Sequence, residues 1–286
     1  MSLEPLERLY EDDSLPTTTL RGELARLHDG DLGFPPDCLY ANFVATLDGV
    51  VAIPAMPRSN DFVAGDSDAD RFLMGLLRAF ADVVLIGSGV LRASPTGTWQ
   101  PERIFPPAAR AYAELREELR ASPAPEVALL TGSGAIDPEH PLLEWCAVVL
   151  TSDAGAERLG ASLPSASTVV PLGPSTWIEP GVVVDALRVR GHRRILSEAG
   201  PHTFGELLRA GLVDELFLTT SPLLVGSDEP GSRLRLVEGA DLVPDGTRLR
   251  LLSLRRHESH LFHRYALDRT QEGLVHAPHG TAILEG

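Results

Sequence analysis

Residues 194–208 read as a strand, a glycine turn and the start of a helix, and this unit sets the terms for the rest of the chain. Residues 194–197 form a short, mostly apolar run suited to a buried strand. Glu198-Ala199-Gly200-Pro201 then breaks it. Pro201 fits the first turn of a helix, where its missing N–H costs nothing. The helix would run through Phe204, Leu207 and Leu208 and stop at Gly211, a position suited to a left-handed cap. Free N–H groups and the helix dipole make such a turn a natural phosphate site. Glu198 sits at the strand's carboxyl end, where open α/β sheets bind ligands. The same residues also satisfy an ordinary strand–helix connection in which the glycine serves only the turn.

The pattern recurs. Apolar runs at 39–47, 82–86, 126–130, 146–150 and 168–171 predict further strands. Helices are expected at 110–120 and 181–190, and after the Asp66-Ser67-Asp68 cap cluster. That last helix carries Phe72, Leu73, Leu76, Leu77 and Phe80 on one stripe. Arg71 and Arg78, seven apart, share a different face. Alternating strands and helices predict a mostly parallel central sheet with helices on both faces. The runs at 213–220, 248–254 and 258–267 have no helices between them and predict antiparallel strands on one side. Four strand ends carry glycine or small hydroxyl residues, at 87–89, 131–134, 151–152 and 198–200. One sheet edge would gather them into a cradle for an extended phosphorylated cofactor, although none fits the Gly-x-Gly-x-x-Gly fingerprint. Residues 1–37 read as an acidic, proline-rich arm on the domain surface with a short helix near 20–28. Residues 38–267 form one domain, and 268–286 a loose tail.

Composition removes whole classes of function. The formal charge of −15 argues against nucleic acid or an anionic membrane as partner. All 25 basic residues are arginine, so Schiff-base, P-loop and general-base lysines are excluded. Cys38 and Cys146 have no metal or redox spacing, which predicts a reduced, cytoplasmic protein. His257, His260 and His263 recur every third residue in an alternating segment and cannot all share a strand face. No signal-peptide pattern or membrane-spanning apolar run is expected.

Specific motifs then resemble a known family. They are Asn42-Phe-Val-Ala-Thr-Leu-Asp-Gly49, Leu77-Arg-Ala79, Ala81-Asp-Val-Val-Leu-Ile-Gly-Ser-Gly-Val90, Glu198-Ala-Gly-Pro201, Gly211-Leu-Val-Asp-Glu-Leu216 and Ser221-Pro-Leu-Leu-Val-Gly226. In this order and spacing, over residues 39–267, they resemble the reductase of riboflavin biosynthesis, and most closely its stand-alone pyrimidine reductase members. The resemblance implies a dihydrofolate-reductase-like fold, a homodimer and NADPH-dependent reduction of a ribosylaminopyrimidine at the sugar C1′. It places Asp48 and Glu198 as catalytic candidates and Asn42, Asn60 and Arg78 against the substrate. It assigns Ala45, Thr46, Phe62, Gly87, Ser88, Gly89, Val90, Gly200, Pro201, His202, Thr203 and Phe204 to NADPH, with Ser133 and Thr151 toward the adenosine end. The chain departs from the family at three places. Asn42 stands where fused deaminase–reductases often carry lysine, Asn60-Asp61-Phe62 replaces a Ser-x-Trp, and Val90 replaces a threonine. The deaminase signature of His-x-Glu with Pro-Cys-x-x-Cys is missing, so deamination is not expected. A same-fold reductase of a pterin or folate-like ring, or a silent protein that kept the nucleotide pocket, remain alternatives.

Overall fold

Period-two apolar runs and period-3.6 stripes resolve into twelve strands and nine α-helices among the described residues of the computed structural model. Those residues are 3–145, 147–160, 162–227 and 229–267. The strands are β1 (Glu7–Glu11), β2 (Cys38–Thr46), β3 (Val50–Ala52), β4 (Val83–Gly87), β5 (Glu126–Thr131), β6 (Ala147–Thr151), β7 (Thr168–Pro171), β8 (Arg194–Ser197), β9 (Glu215–Ser221), β10 (Leu234–Arg235), β11 (Leu249–His257) and β12 (His260–Leu267). The helices are α1 (Gly22–His28), α2 (Ser59–Val63), α3 (Asp68–Phe80), α4 (Ser88–Ala93), α5 (Pro101–Ile104), α6 (Ala109–Glu118), α7 (Asp153–Leu159), α8 (Pro180–Val189) and α9 (Pro201–Arg209).

One ten-stranded sheet runs in the order β1-β11-β12-β9-β2-β8-β4-β5-β6-β7, and β3 pairs with β10 beside it. The stretch from β9 to β7 is parallel throughout. The mixed α/β architecture with an antiparallel side is as expected, with one correction. The sequence pattern predicts only antiparallel pairing for β9, yet β9 lies parallel to β2 on one side and antiparallel to β12 on the other. The hinge between the two halves of the sheet is therefore β9 itself. A strand's own periodicity carries no information about the direction of its neighbours.

Strands buried on both faces need apolar residues at every position, which is why β4 reads Val-Val-Leu-Ile without alternation. On one face Tyr40, Val84, Ile86 and Leu196 pack with Phe72, Leu76 and Phe80 of α3 and Tyr112 of α6. On the other face Leu39, Val83, Leu85 and Ile195 meet Val183 and Leu187 of α8 and Phe204 and Leu207 of α9. Burying each such side chain contributes roughly 1.5–3 kcal/mol. Ser67 caps α3 by accepting from the Asp70 N–H, as the sequence cluster predicts.

Residues 3–37 are stitched into this core. β1 extends the sheet beyond β11, and Leu6, Leu20, Leu24, Leu27 and Leu32 join the helix-covered interior. β1 is mostly exposed and polar, so no apolar pattern announces it; backbone pairing holds it. Arg255 reinforces the seam, donating to the His28 carbonyl at 2.8 Å and to Glu11 at 2.6 Å. Arg264 pairs with Glu215 and donates to the Gly33 carbonyl. Cys38 is buried, and burial pushes its thiol up, away from the thiolate form. Cys146 and residues 268–286 lie outside the described residues. No described helix is long and apolar enough to cross a membrane. No cluster of three or more His, Cys, Asp or Glu among the described residues could hold a metal ion.

The seam has a pH consequence. Burial and the neighbouring Arg255 push the His28 imidazole down to about 3, while its Nδ1 donates to the Gly30 carbonyl at 3.0 Å. An unfolded histidine titrates near 6.5, so the unfolded state gains a proton first as the pH falls. The contribution of His28 is complete above pH 6.5 and is lost progressively down to about 3. Between pH 7.5 and 5.0 the loss should be about 2 kcal/mol, from roughly 1.4 kcal/mol per pH unit. Urea unfolding of His28→Asn beside the wild type checks this. Equal losses over that range in both proteins would assign the acid sensitivity elsewhere.

Candidate active site

The carboxyl ends of the parallel strands open into a cleft of about 1250 Å³. Single-ligand pockets occupy about 300–1,000 Å³, so there is room for two ligands side by side. β2 supplies Asn42, β4 and α4 supply Gly87 to Val90, and the turn after β8 supplies Glu198 to Thr203. Asn60 of α2 and Arg78 of α3 complete the expected set.

Two of these turns face each other. A Cβ on Gly87 would lie 2.7 Å from the Ala199 carbonyl oxygen, and one on Gly200 would lie 3.3 Å from Val90 Cγ2. Gly200 holds φ at +86°, in the region L side chains rarely adopt. It precedes Pro201 at the start of α9, and no side chain caps that helix. The first N–H groups of α9 are thus left for a ligand beside the α4 turn. Two non-glycine residues in the cleft wall, Arg58 and Trp99, also hold positive φ, at 55° and 53°. Such strain persists where the surroundings enforce it and clusters at functional sites.

Across from the glycine turns, Arg78 and Glu198 form a fork-to-fork pair. Nε donates to Oε1 at 3.1 Å and Nη2 to Oε2 at 2.7 Å. Their side chains are only 8% and 10% exposed, so the carboxylate is fixed in position against the cleft. Arg71, which shares Arg78's helical face by spacing, instead binds Asp66 and Asp68 at the surface. Asn42 is half-buried in the wall, and its side chain makes no hydrogen bond to the described residues. Although the whole chain is acidic, the cleft is balanced: Arg58, Arg78, Arg92 and Arg103 line it with Asp61, Asp70, Glu198 and Glu206. Arg92 and Arg103 have no carboxylate partner among the described residues, so they are available to an anion.

Seven of the expected site residues do not line the cleft. Asp48 lies in the β2–β3 turn and accepts from the amides of Val225 and Gly226. The Thr46 hydroxyl and the Gly226 amide hold its carboxyl below the ordinary range, which suits a loop staple. Thr46 itself is buried and bonds Asp48 and the Val50 amide. Ala45 packs in the core, and Phe204 meets Phe43 in a tilted ring contact with centroids 4.8 Å apart. Phe62 is exposed outside the cleft. Ser133 accepts from the Ala135 amide, and Thr151 is sealed beneath Gly155. The cleft is also lined by Thr131 and Gly132, from the strand end expected at 131–134, and by Trp177 and Asp70. Trp177 and Asp70 carry no motif, but Asp70, Met74 and Arg78 are spaced by four on α3 and are readable as one face.

A family model for the RibD C-terminal domain matches residues 38–261. Among solved structures, a pyrimidine reductase-like protein from Corynebacterium diphtheriae aligns at a TM-score of 0.64 and 22% identity, over 81% of this chain and 92% of that one. RibD from Acinetobacter baumannii aligns at 0.58 and 14% identity, over 81% of this chain and 58% of that one. The riboflavin biosynthesis reductase of Saccharomyces cerevisiae aligns at 0.57 and 12% identity, over 83% and 93%. At these identities the likeness is one of fold, and this chain spans little more than half of the Acinetobacter protein. No curated protein sequence matches the chain.

Proposed function

This chain belongs to the RibD C-terminal domain family, and from that premise we propose that it is an NADPH-dependent pyrimidine reductase of the riboflavin-pathway type. Its substrate would be a ribosylaminopyrimidine, reduced at the sugar C1′. The observation that carries the reading is the pair of facing backbone turns at Gly87 and Gly200, in a cleft with room for two ligands.

The residues present fit a dinucleotide. Gly87 and Gly200 let the two turns pack closely at the cleft wall, and the uncapped start of α9 offers N–H groups to phosphate there. NADPH supplies the hydride when bound; the protein's own work is to hold donor and acceptor in line. The fixed Glu198 carboxylate and the Asn42 and Asn60 amides suit a heterocycle and a polyhydroxylated sugar, which carry donors and acceptors of their own. Arg92 and Arg103 give a phosphorylated ligand the cations that the overall charge withholds.

A fluorescence titration of the purified protein with NADPH, with NADH in parallel, tests the cofactor half. NADPH should bind at least about tenfold more tightly, roughly 1.4 kcal/mol. Absorbance at the dihydronicotinamide band, with 5-amino-6-(5-phosphoribosylamino)uracil as acceptor, tests the substrate half. Failure to bind either nucleotide would sink the reductase reading and favour a silent pocket.

A further inference from the structure

We infer that Asp70 is the group that delivers a proton to the substrate heteroatom during reduction in this cleft, an inference that rests on the reductase reading above. Four carboxyl groups line the cleft, and arginines bind three of them. Asp61 pairs with Arg58 at 2.7 Å, Glu198 with Arg78 at 2.7 Å and Glu206 with Arg209 at 2.6 Å. Asp70 has no such partner among the described residues, although it is only 5% exposed. It shares the α3 face of Met74 and Arg78, which brings it to the wall that carries the Arg78–Glu198 fork.

The groups facing it come from three further elements. Thr219 of β9, His260 of β12 and Glu198 after β8 act on it, with Arg71 next along α3. Burial is the strongest influence and raises the Asp70 carboxyl above the ordinary range; the Thr219 hydroxyl, His260 and Arg71 oppose it and Glu198 adds to it. His260 is itself tied to the Ala64 carbonyl at 2.9 Å. Burial thus favours the protonated form of a carboxyl that no arginine binds directly, and this carboxyl lines the cleft.

The step balances. A C–H bond forms at the acceptor carbon as the hydride arrives, and the bond from that carbon to its heteroatom breaks. Its electron pair passes to the heteroatom, which takes the Asp70 proton. The dihydronicotinamide is oxidised, and water returns a proton to the Asp70 carboxylate.

The test uses Asp70→Asn and Asp70→Glu in the full chain. With NADPH and 5-amino-6-(5-phosphoribosylamino)uracil, Asp70→Asn should turn over at least about 100-fold more slowly. NADPH affinity should stay within about twofold of wild type. Wild-type kcat should fall on the alkaline side as Asp70 loses its proton; that limb should vanish in Asp70→Asn and return in Asp70→Glu. Independently of turnover, the Asp70 signal in a 13C-aspartate-labelled protein should titrate above the free-residue value of about 3.9. An ordinary titration, or wild-type turnover in Asp70→Asn, overturns the assignment alone. A wild-type protein that reduces no such acceptor overturns the reductase reading and this role together. If Asp70→Asn does not fold, the wild-type titration decides.

Discussion

Gly200→Val is expected to weaken NADPH binding by at least about 100-fold, or roughly 2.7 kcal/mol. Two causes act together. Gly200 holds φ at +86°, where a β-branched residue suffers about 1–3 kcal/mol of strain, so the turn would relax to another shape. A side chain there would also start 3.3 Å from Val90 and crowd the facing α4 turn, where the proposed phosphate site lies. Gly211→Val is the control. Gly211 also has positive φ, at 65°, but it lies beyond the far end of α9, where an added Cβ would meet nothing within 4 Å. It should lose comparable stability while keeping NADPH affinity. Fluorescence titration and thermal unfolding of both variants separate the effects. Wild-type affinity in Gly200→Val would move the phosphate site elsewhere.

Glu198→Gln should cut turnover about 100-fold while NADPH affinity stays within about threefold. The glutamine amide turns an N–H₂ donor toward a guanidinium that can only donate, so the fork breaks and Arg78 is left buried without its counter-charge. Removing one partner of a buried pair costs about 3–5 kcal/mol, which unfolding in urea would register. Stability loss by itself could lower activity, so a second comparison is needed. Replacing both partners, Arg78→Met with Glu198→Leu, removes the stranded charge and should recover most of the stability. Turnover should not return, because the fixed carboxylate facing the cleft would still be gone. Recovery of both would assign the pair a purely structural role. An equal loss of NADPH affinity and turnover in Glu198→Gln would do the same.

Much of the architecture was legible because its signals are local. The strand at 194–197 and the helix behind Pro201 follow from an apolar run, a glycine and a proline within fifteen residues, and the structure places both at those positions. The Ser67 cap and the apolar stripe of α3 were equally readable. The gathering of glycine-bearing strand ends at one edge follows from parallel strands alternating with helices. β1 was not legible, since it is a polar strand held by backbone pairing. Nor was the parallel pairing of β9 with β2.

Among the site residues the division is sharper. By itself the sequence determined which elements form and that Gly87, Gly200 and Glu198 stand at strand ends, because turn chemistry and periodicity act over a few residues. Tertiary structure alone decided which side chains meet. Arg78 and Glu198 are 120 positions apart, and no local pattern distinguishes their pairing from the surface ion pairs of Arg71. The same long-range packing turned Asp48 into a loop staple and sealed Thr151 under α7, while it brought Asp70 to the cleft wall. A residue's direction at a strand end depends on the crossing of distant helices over the sheet, and that is a property of the folded chain.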